Sequence, residues 1–99
     1  MELKVQSIHF DATEKLHEFI EKKVVKLEKN SDDVRTAEII LKVVKPEVAM
    51  NKHTSIRIKV TSGELFAEKI CDTFEEGVDT CIDALLKQLS KHKEKQRGR

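Results

Sequence analysis

IRIKVTSGELFAEKIC, residues 56–71, decides the fold. Ile56, Ile58 and Val60 alternate with Arg57 and Lys59, the period of two that marks a strand with one buried face. Thr61, Ser62, Gly63 and Glu64 read as a hairpin turn, since small polar residues suit tight backbone geometry. A further strand follows from Leu65 to Cys71. Upstream, Ala37, Ile39, Leu41 and Val43 alternate in the same way. Pro46 closes that strand, because proline has no N–H to give to a ladder. Residues Glu47 to His53 are expected as the connecting loop. Three consecutive strands with short links predict an antiparallel meander with one apolar face.

Two helical patterns frame the meander. A first strand is expected from Leu3 to Phe10, with Leu3 and Val5 on one face. Asp11 and Glu14 have capping-box spacing, with Asp11 as the N-cap. The helix after them carries Leu16, Phe19, Ile20, Val24 and Leu27 at helical spacing and ends near Asn30, Ser31, Asp32 and Asp33. Thr73 and Glu76 form a second capping box. The last helix is expected from Phe74 to about Lys95, with Phe74, Cys81, Leu85 and Leu89 on its apolar stripe and His92 prolonging it. The predicted class is α+β in the order β-α-β-β-β-α. Its four-stranded sheet has two helices packed on one face, a double-stranded-RNA-binding-like layout.

The 99 residues suit one domain, and 38% hydrophobic content beside 37% charged content describes a small, strongly charged protein. No apolar run approaches the roughly 20 residues of a membrane span. The start, MELKVQSIHF, lacks the basic-then-apolar layout of a signal peptide. A cytoplasmic protein with no membrane partner is therefore expected. Cys71 and Cys81 are not in a CxxC pair and read as buried free thiols, with a disulfide or redox pair as the alternative. His9, His17, His53 and His92 fall in four separate elements without metal-ligand spacing, so no metal site is expected. No Cys or Ser has an evident oriented base, and Gly63, Gly77 and Gly98 are isolated, so there is no phosphate loop. The sequence predicts no enzyme, no catalytic residue, no cofactor and no small-molecule substrate. Phe19 and Phe74 belong to core stripes. Phe10 and Phe66 are candidates for exposure, without an evident base-stacking sheet.

Charge is distributed very unevenly. From Lys87 to Arg99 there are six Lys or Arg and one acid, Glu94, whereas the preceding 86 residues hold thirteen bases and seventeen acids. At about 100° per residue, Lys15, Lys22, Lys26 and Lys29 fall on one stripe of the first helix. Glu14, Glu21 and Glu28 fall on the opposite flank of the core stripe. On the last helix Lys87, Lys91 and Lys95 are four residues apart, and Glu76, Asp79 and Asp83 stay in its first half. A solvated face with i,i+4 ion pairs is the plain reading of one such helix. Dipole matching accounts for part of the second helix, but not for a basic run that continues to Arg97 and Arg99. Two sorted helices point instead to an ordered cationic surface for a polyanion, bound largely through counterion release.

Three stretches carry a family resemblance: SIHFDATEKLHEFIEKKVVKLEK at residues 7–29, GELFAEK at 63–69 and CIDALLKQLSKHKEK at 81–95. In this order and frame the chain resembles the ribosome hibernation-promoting factors, also called ribosome-associated inhibitors, in their short form. The resemblance implies a ribosome-binding protein that is not an enzyme. Its partners would be the small ribosomal subunit and its ribosomal RNA. It would occupy the channel of messenger and transfer RNA and keep idle ribosomes silent. The matching RNA-binding positions are Lys22, Lys23, Lys26 and Lys29 on the first helix, and Lys87, Lys91, His92, Lys93 and Lys95 on the second. His92 has a helix-edge packing role as an equal alternative. Residues 1–96 are expected as a single ribosome-binding domain and 97–99 as a basic C-terminal tail. Longer members add a C-terminal dimerisation domain, which these residues are not expected to contain. The chain departs from the family at Asp79, where an aromatic is common, at Cys81, which replaces alanine, and at Ser7, which replaces glycine. Two other readings stay open: a double-stranded-RNA-binding module acting outside the ribosome, and an interaction protein whose basic end meets an acidic partner.

Overall fold

The computed structural model describes the backbone of residues 1–8, 10–30, 33–45, 50–61 and 63–97, with side chains as far as residue 92. The elements are β1 (Glu2–Ile8), α1 (Glu14–Asn30), β2 (Val34–Val43), β3 (Lys52–Val60), β4 (Gly63–Cys71) and α2 (Phe74–Arg97). The strands lie in the order β1-β2-β3-β4. β2, β3 and β4 form the expected antiparallel meander, and β1 joins β2 in parallel, which makes the sheet mixed. Parallel neighbours need a crossover, and α1 supplies it.

Register explains the core. Val5, Ile39, Ile56 and Ala67 pair across all four strands, as do Leu3, Ala37, Ile58 and Leu65 two residues away. These rows point to one face of the sheet because side chains alternate along a strand. Both helices cover that face. Leu16, Ile20, Val24 and Leu27 of α1 meet Val78, Cys81, Ile82, Leu85 and Leu89 of α2 and the inner sheet rows in one buried cluster.

The helix starts show one expectation met and one corrected. Thr73 Oγ1 accepts the Glu76 N–H at 3.1 Å, so Thr73 caps α2 as expected. At α1 the cap is Thr13, not Asp11: Thr13 Oγ1 accepts the Leu16 N–H at 3.1 Å, and the helix begins at Glu14. Phe10 is also not exposed. Its ring stacks on Phe74 with centroids 4.6 Å apart, which holds the end of β1 against the start of α2 and leaves residues 11–13 to lead into α1. The strands are longer than their alternation indicated. Lys52 and His53, expected in the loop, pair with Cys71 and Ile70 in the ladder. Pro46, the remaining loop residues 47–49, Ser62 in the turn, Ser31 and Asp32 after the first helix, and His9 lie outside the described residues.

The topology also fixes helix direction. β4 runs parallel to β1 and β2, so α1 and α2 both leave the same end of the sheet and descend side by side. Asp33, just after α1, lies beside His92 near the end of α2, which places the C-terminal halves of the helices level with each other. α2 has 24 residues, about 36 Å at the standard rise. It packs closely on β3 at Gly77, where a Cβ would collide with Thr54 Oγ1 and lie 3.0 Å from Thr54 Cβ.

Candidate nucleic-acid interface

The buried stripes dictate where the lysines stand. Leu16, Ile20, Val24 and Leu27 turn one side of α1 to the sheet. Successive residues rotate by about 100°, so Lys22, Lys26 and Lys29 come out on the side away from the sheet, and all three are exposed. Lys15 stands exposed on the same stripe. On α2, Leu85 and Leu89 are buried and Lys87 lies nearly opposite them. Lys91 follows one turn later, and both lysines are exposed. Two rows of ammonium groups therefore lie on the outer surface of the helical layer. Lys93 and Lys95 belong to the last turns of α2, and their side chains lie outside the described residues.

Lys23 is placed differently. Its Nζ is 2.9 Å from Asp79 Oδ1 on α2, and its side chain is only 24% exposed. The ammonium also lies 5.4 Å from the centre of the Phe19 ring, one turn earlier on α1. The hydrogen bond to Asp79 raises the Lys23 pKa, with Asp83 adding to the effect. The pairing of Lys23 with Asp79 is what sequence reasoning missed. A signal existed: by helical spacing Lys23 falls between the apolar stripe and the lysine row, beside Phe19, so it had to face a neighbouring element.

His92 is half-buried, with Nε2 4.0 Å from Asp33 Oδ2. Asp33 Oδ1 accepts the Thr61 N–H at 3.1 Å. Hydrogen bonds from Thr61, with His92 and Arg35 close by, hold the Asp33 carboxyl below the usual carboxylate range. The imidazole thus packs at the edge of the helix and links α2 to the start of β2 and to the β3–β4 turn.

The other side of the sheet has no such sorting. Glu2, Lys4, Glu38, Arg57, Lys59 and Glu64 line one shallow, polar depression with acids and bases intermixed. Phe66 is 43% exposed there, and the Arg57 guanidinium lies 5.7 Å from its ring centre.

The chemistry of the buried thiols is quiet. Burial pushes the Cys81 thiol up to about 11 and raises Cys71 as well, so neither is a ready thiolate near neutral pH. Both cysteines are free, and the Cys81 thiol donates a weak bond to the Thr54 carbonyl at 3.7 Å. Among the described residues no cluster of three or more His, Cys, Asp or Glu side chains could hold a metal ion. Among them, too, no helix is long and apolar enough to cross a membrane.

The chain is similar to known proteins in sequence and in fold. The profile of the family described as Sigma 54 modulation protein / S30EA ribosomal protein matches residues 3–97. The ribosome hibernation promoting factor of Escherichia coli K12 is 34% identical over 96 residues, covering 96% of this chain and 96% of that protein. The protein of the same name from Pseudomonas putida is 26% identical over 98 residues, covering 99% of this chain and 92% of its own. A ribosomal subunit interface protein from Coxiella burnetii has a similar structure, with a TM-score of 0.83 and 25% identity over 94% of this chain and 98% of that one. The Protein Y N-terminal domain of Thermus thermophilus shares the fold, with a TM-score of 0.77 and 18% identity over 93% of this chain and 99% of that one.

Proposed function

This chain belongs to the Sigma 54 modulation protein / S30EA ribosomal protein family, and on that premise we propose that it is a ribosome hibernation factor. It binds the small ribosomal subunit through ribosomal RNA, occupies the channel of messenger and transfer RNA, and silences translation in idle ribosomes. It acts in the cytoplasm by occupancy and not by catalysis.

One observation carries this reading: the lysines are sorted. Lys22, Lys26 and Lys29 on α1 and Lys87 and Lys91 on α2 share the outer surface of the helical layer and are all exposed. Lysines are compact point charges that meet phosphates without reading base sequence. Folded ribosomal RNA offers phosphates at fixed spacings, and binding to it rests on shape and backbone contacts. A rigid two-helix surface suits that target. Lys93 and Lys95 extend the contact along α2, while His92 supports the surface from its edge.

Sedimentation through a gradient tests the reading. The protein should travel with small subunits and with idle ribosomes, and its binding should weaken steeply with salt. For about six phosphates, log affinity should fall with a slope of about −4 to −5 against log salt. Migration with dispersed duplex RNA and absence from ribosomes would favour a double-stranded-RNA module instead.

A further inference from the structure

We propose that Lys23 and Asp79 form a positioning pair that sets the spacing of the two lysine rows, and that Lys23 makes no phosphate contact. This rests on the ribosomal RNA reading above and divides its lysines into two kinds.

The geometry separates Lys23 from its neighbours. Lys22 and Lys26 are exposed on either side of it in sequence. Lys23 has turned its ammonium across to α2, where Asp79 Oδ1 accepts it at 2.9 Å. The Phe19 ring confines the same ammonium from the α1 side. Asp83, one turn beyond Asp79, adds a second negative charge that favours the charged lysine. A phosphate arriving at Lys23 would have to displace one carboxylate and approach another. Like charges make that approach unfavourable, whereas no such acid is paired with Lys26, Lys29 or Lys87 among the described ion pairs.

The pair also has a mechanical consequence. The helices run in the same direction, and Lys23–Asp79 is the one described ion pair between them. It joins the middle of α1 to the second turn of α2. Beyond that point Lys26 and Lys29 stand in the C-terminal half of α1, and Lys87 and Lys91 in that of α2. Asp79 and Asp83 repel phosphate from the first half of α2. The RNA backbone therefore crosses the C-terminal halves of the two helices and stays off their first turns.

Salt dependence distinguishes the two kinds of lysine. Each phosphate contact removed makes the slope of log affinity against log salt shallower by about 0.7–0.9. Affinity for purified small subunits would be measured across a salt series for wild type, Lys26→Met, Lys87→Met and Lys23→Met, with the melting temperature followed in parallel. Lys26→Met and Lys87→Met should each lose about one contact's worth of slope. Lys23→Met should keep the wild-type slope and loosen binding by about two- to fivefold, the scale of one partly exposed ion pair. The reciprocal exchange, Lys23→Asp with Asp79→Lys, rebuilds the pair and should return affinity toward wild type. If Lys23→Met loses as much slope as Lys26→Met, Lys23 is a phosphate ligand and the proposal is overturned. It is equally overturned if Lys23→Met changes neither slope nor affinity. A wild-type slope near zero would reject the RNA reading itself, and this inference with it.

Discussion

The two broad surfaces of this small protein are both charged, yet only one is organised. On the open face of the sheet, Lys4, Glu38 and Arg57 sit side by side across three strands, and Glu2, Lys59 and Glu64 share the same depression. Opposite charges facing one another on neighbouring strands attract and do not build up a field of one sign. On the helical layer the lysines are grouped: Lys22, Lys26 and Lys29 form one row along α1, Lys87 and Lys91 a second on the latter half of α2, and Glu76, Asp79 and Asp83 stay in its first half. Solubility needs charge but not sorting. A surface that keeps its cations together, at the cost of mutual repulsion, is one that meets an anion.

The strongest way to break this contrast is to reverse charges on each surface in turn. Lys22→Glu with Lys26→Glu, or Lys87→Glu with Lys91→Glu, should cut ribosome binding by about a hundredfold or more, since each reversal removes a contact and adds repulsion. The melting temperature should barely move, because all four positions are exposed. Arg57→Glu with Lys59→Glu on the sheet should leave ribosome binding near wild type. Equal losses from both surfaces would mean that net charge matters and arrangement does not.

A second comparison separates surface from core. Leu85 is fully buried, and Leu85→Ala should cost about 2–5 kcal/mol of stability through the cavity it leaves, read from denaturant unfolding. Gly77→Ala should also destabilise, because its new Cβ meets Thr54. Adding Thr54→Ala, which removes the colliding hydroxyl, should recover part of that loss. Failure of the second change to compensate would show that α2 does not pack on β3 as closely as described.

Much of this architecture was legible in the chain. The alternation around Ile39, Ile56 and Ile58 announced the meander, and Thr73 announced the start of α2, because period and capping are local properties. What escaped depended on contacts between distant residues. Asp11 has the spacing of a capping residue, but Phe10 reaches Phe74, 64 positions away in sequence, and Thr13 takes the cap. Lys52 and His53 look like loop residues, yet β3 has a strand on each side to pair with them. The candidate site divides the same way. The lysine rows follow from helical periodicity, whereas the tie of Lys23 to Asp79 requires knowing that α1 and α2 lie next to each other.

The smallest expected effects concern titration. Asp33 holds its proton less tightly in the folded chain than its ordinary value, so it adds stability above the unfolded pKa. That contribution disappears as pH falls through the folded value. Asp33→Asn should therefore flatten the decline of melting temperature below about pH 4. The thiols shift the opposite way. With Cys81 raised to about 11, alkylation of the native protein at pH 8 should be much slower than that of the unfolded chain, and prompt labelling would show that the core opens easily.

The proposed mode of action is occupancy, in which the lysine-bearing helical layer would fill the path of messenger and transfer RNA on the small subunit. Two ligands cannot share that volume. The direct measurement is the fraction of ribosomes that carry this protein, with and without messenger RNA and initiator transfer RNA already bound. High occupancy is expected on empty ribosomes and a sharp fall on loaded ones. Equal occupancy in the two states would contradict it.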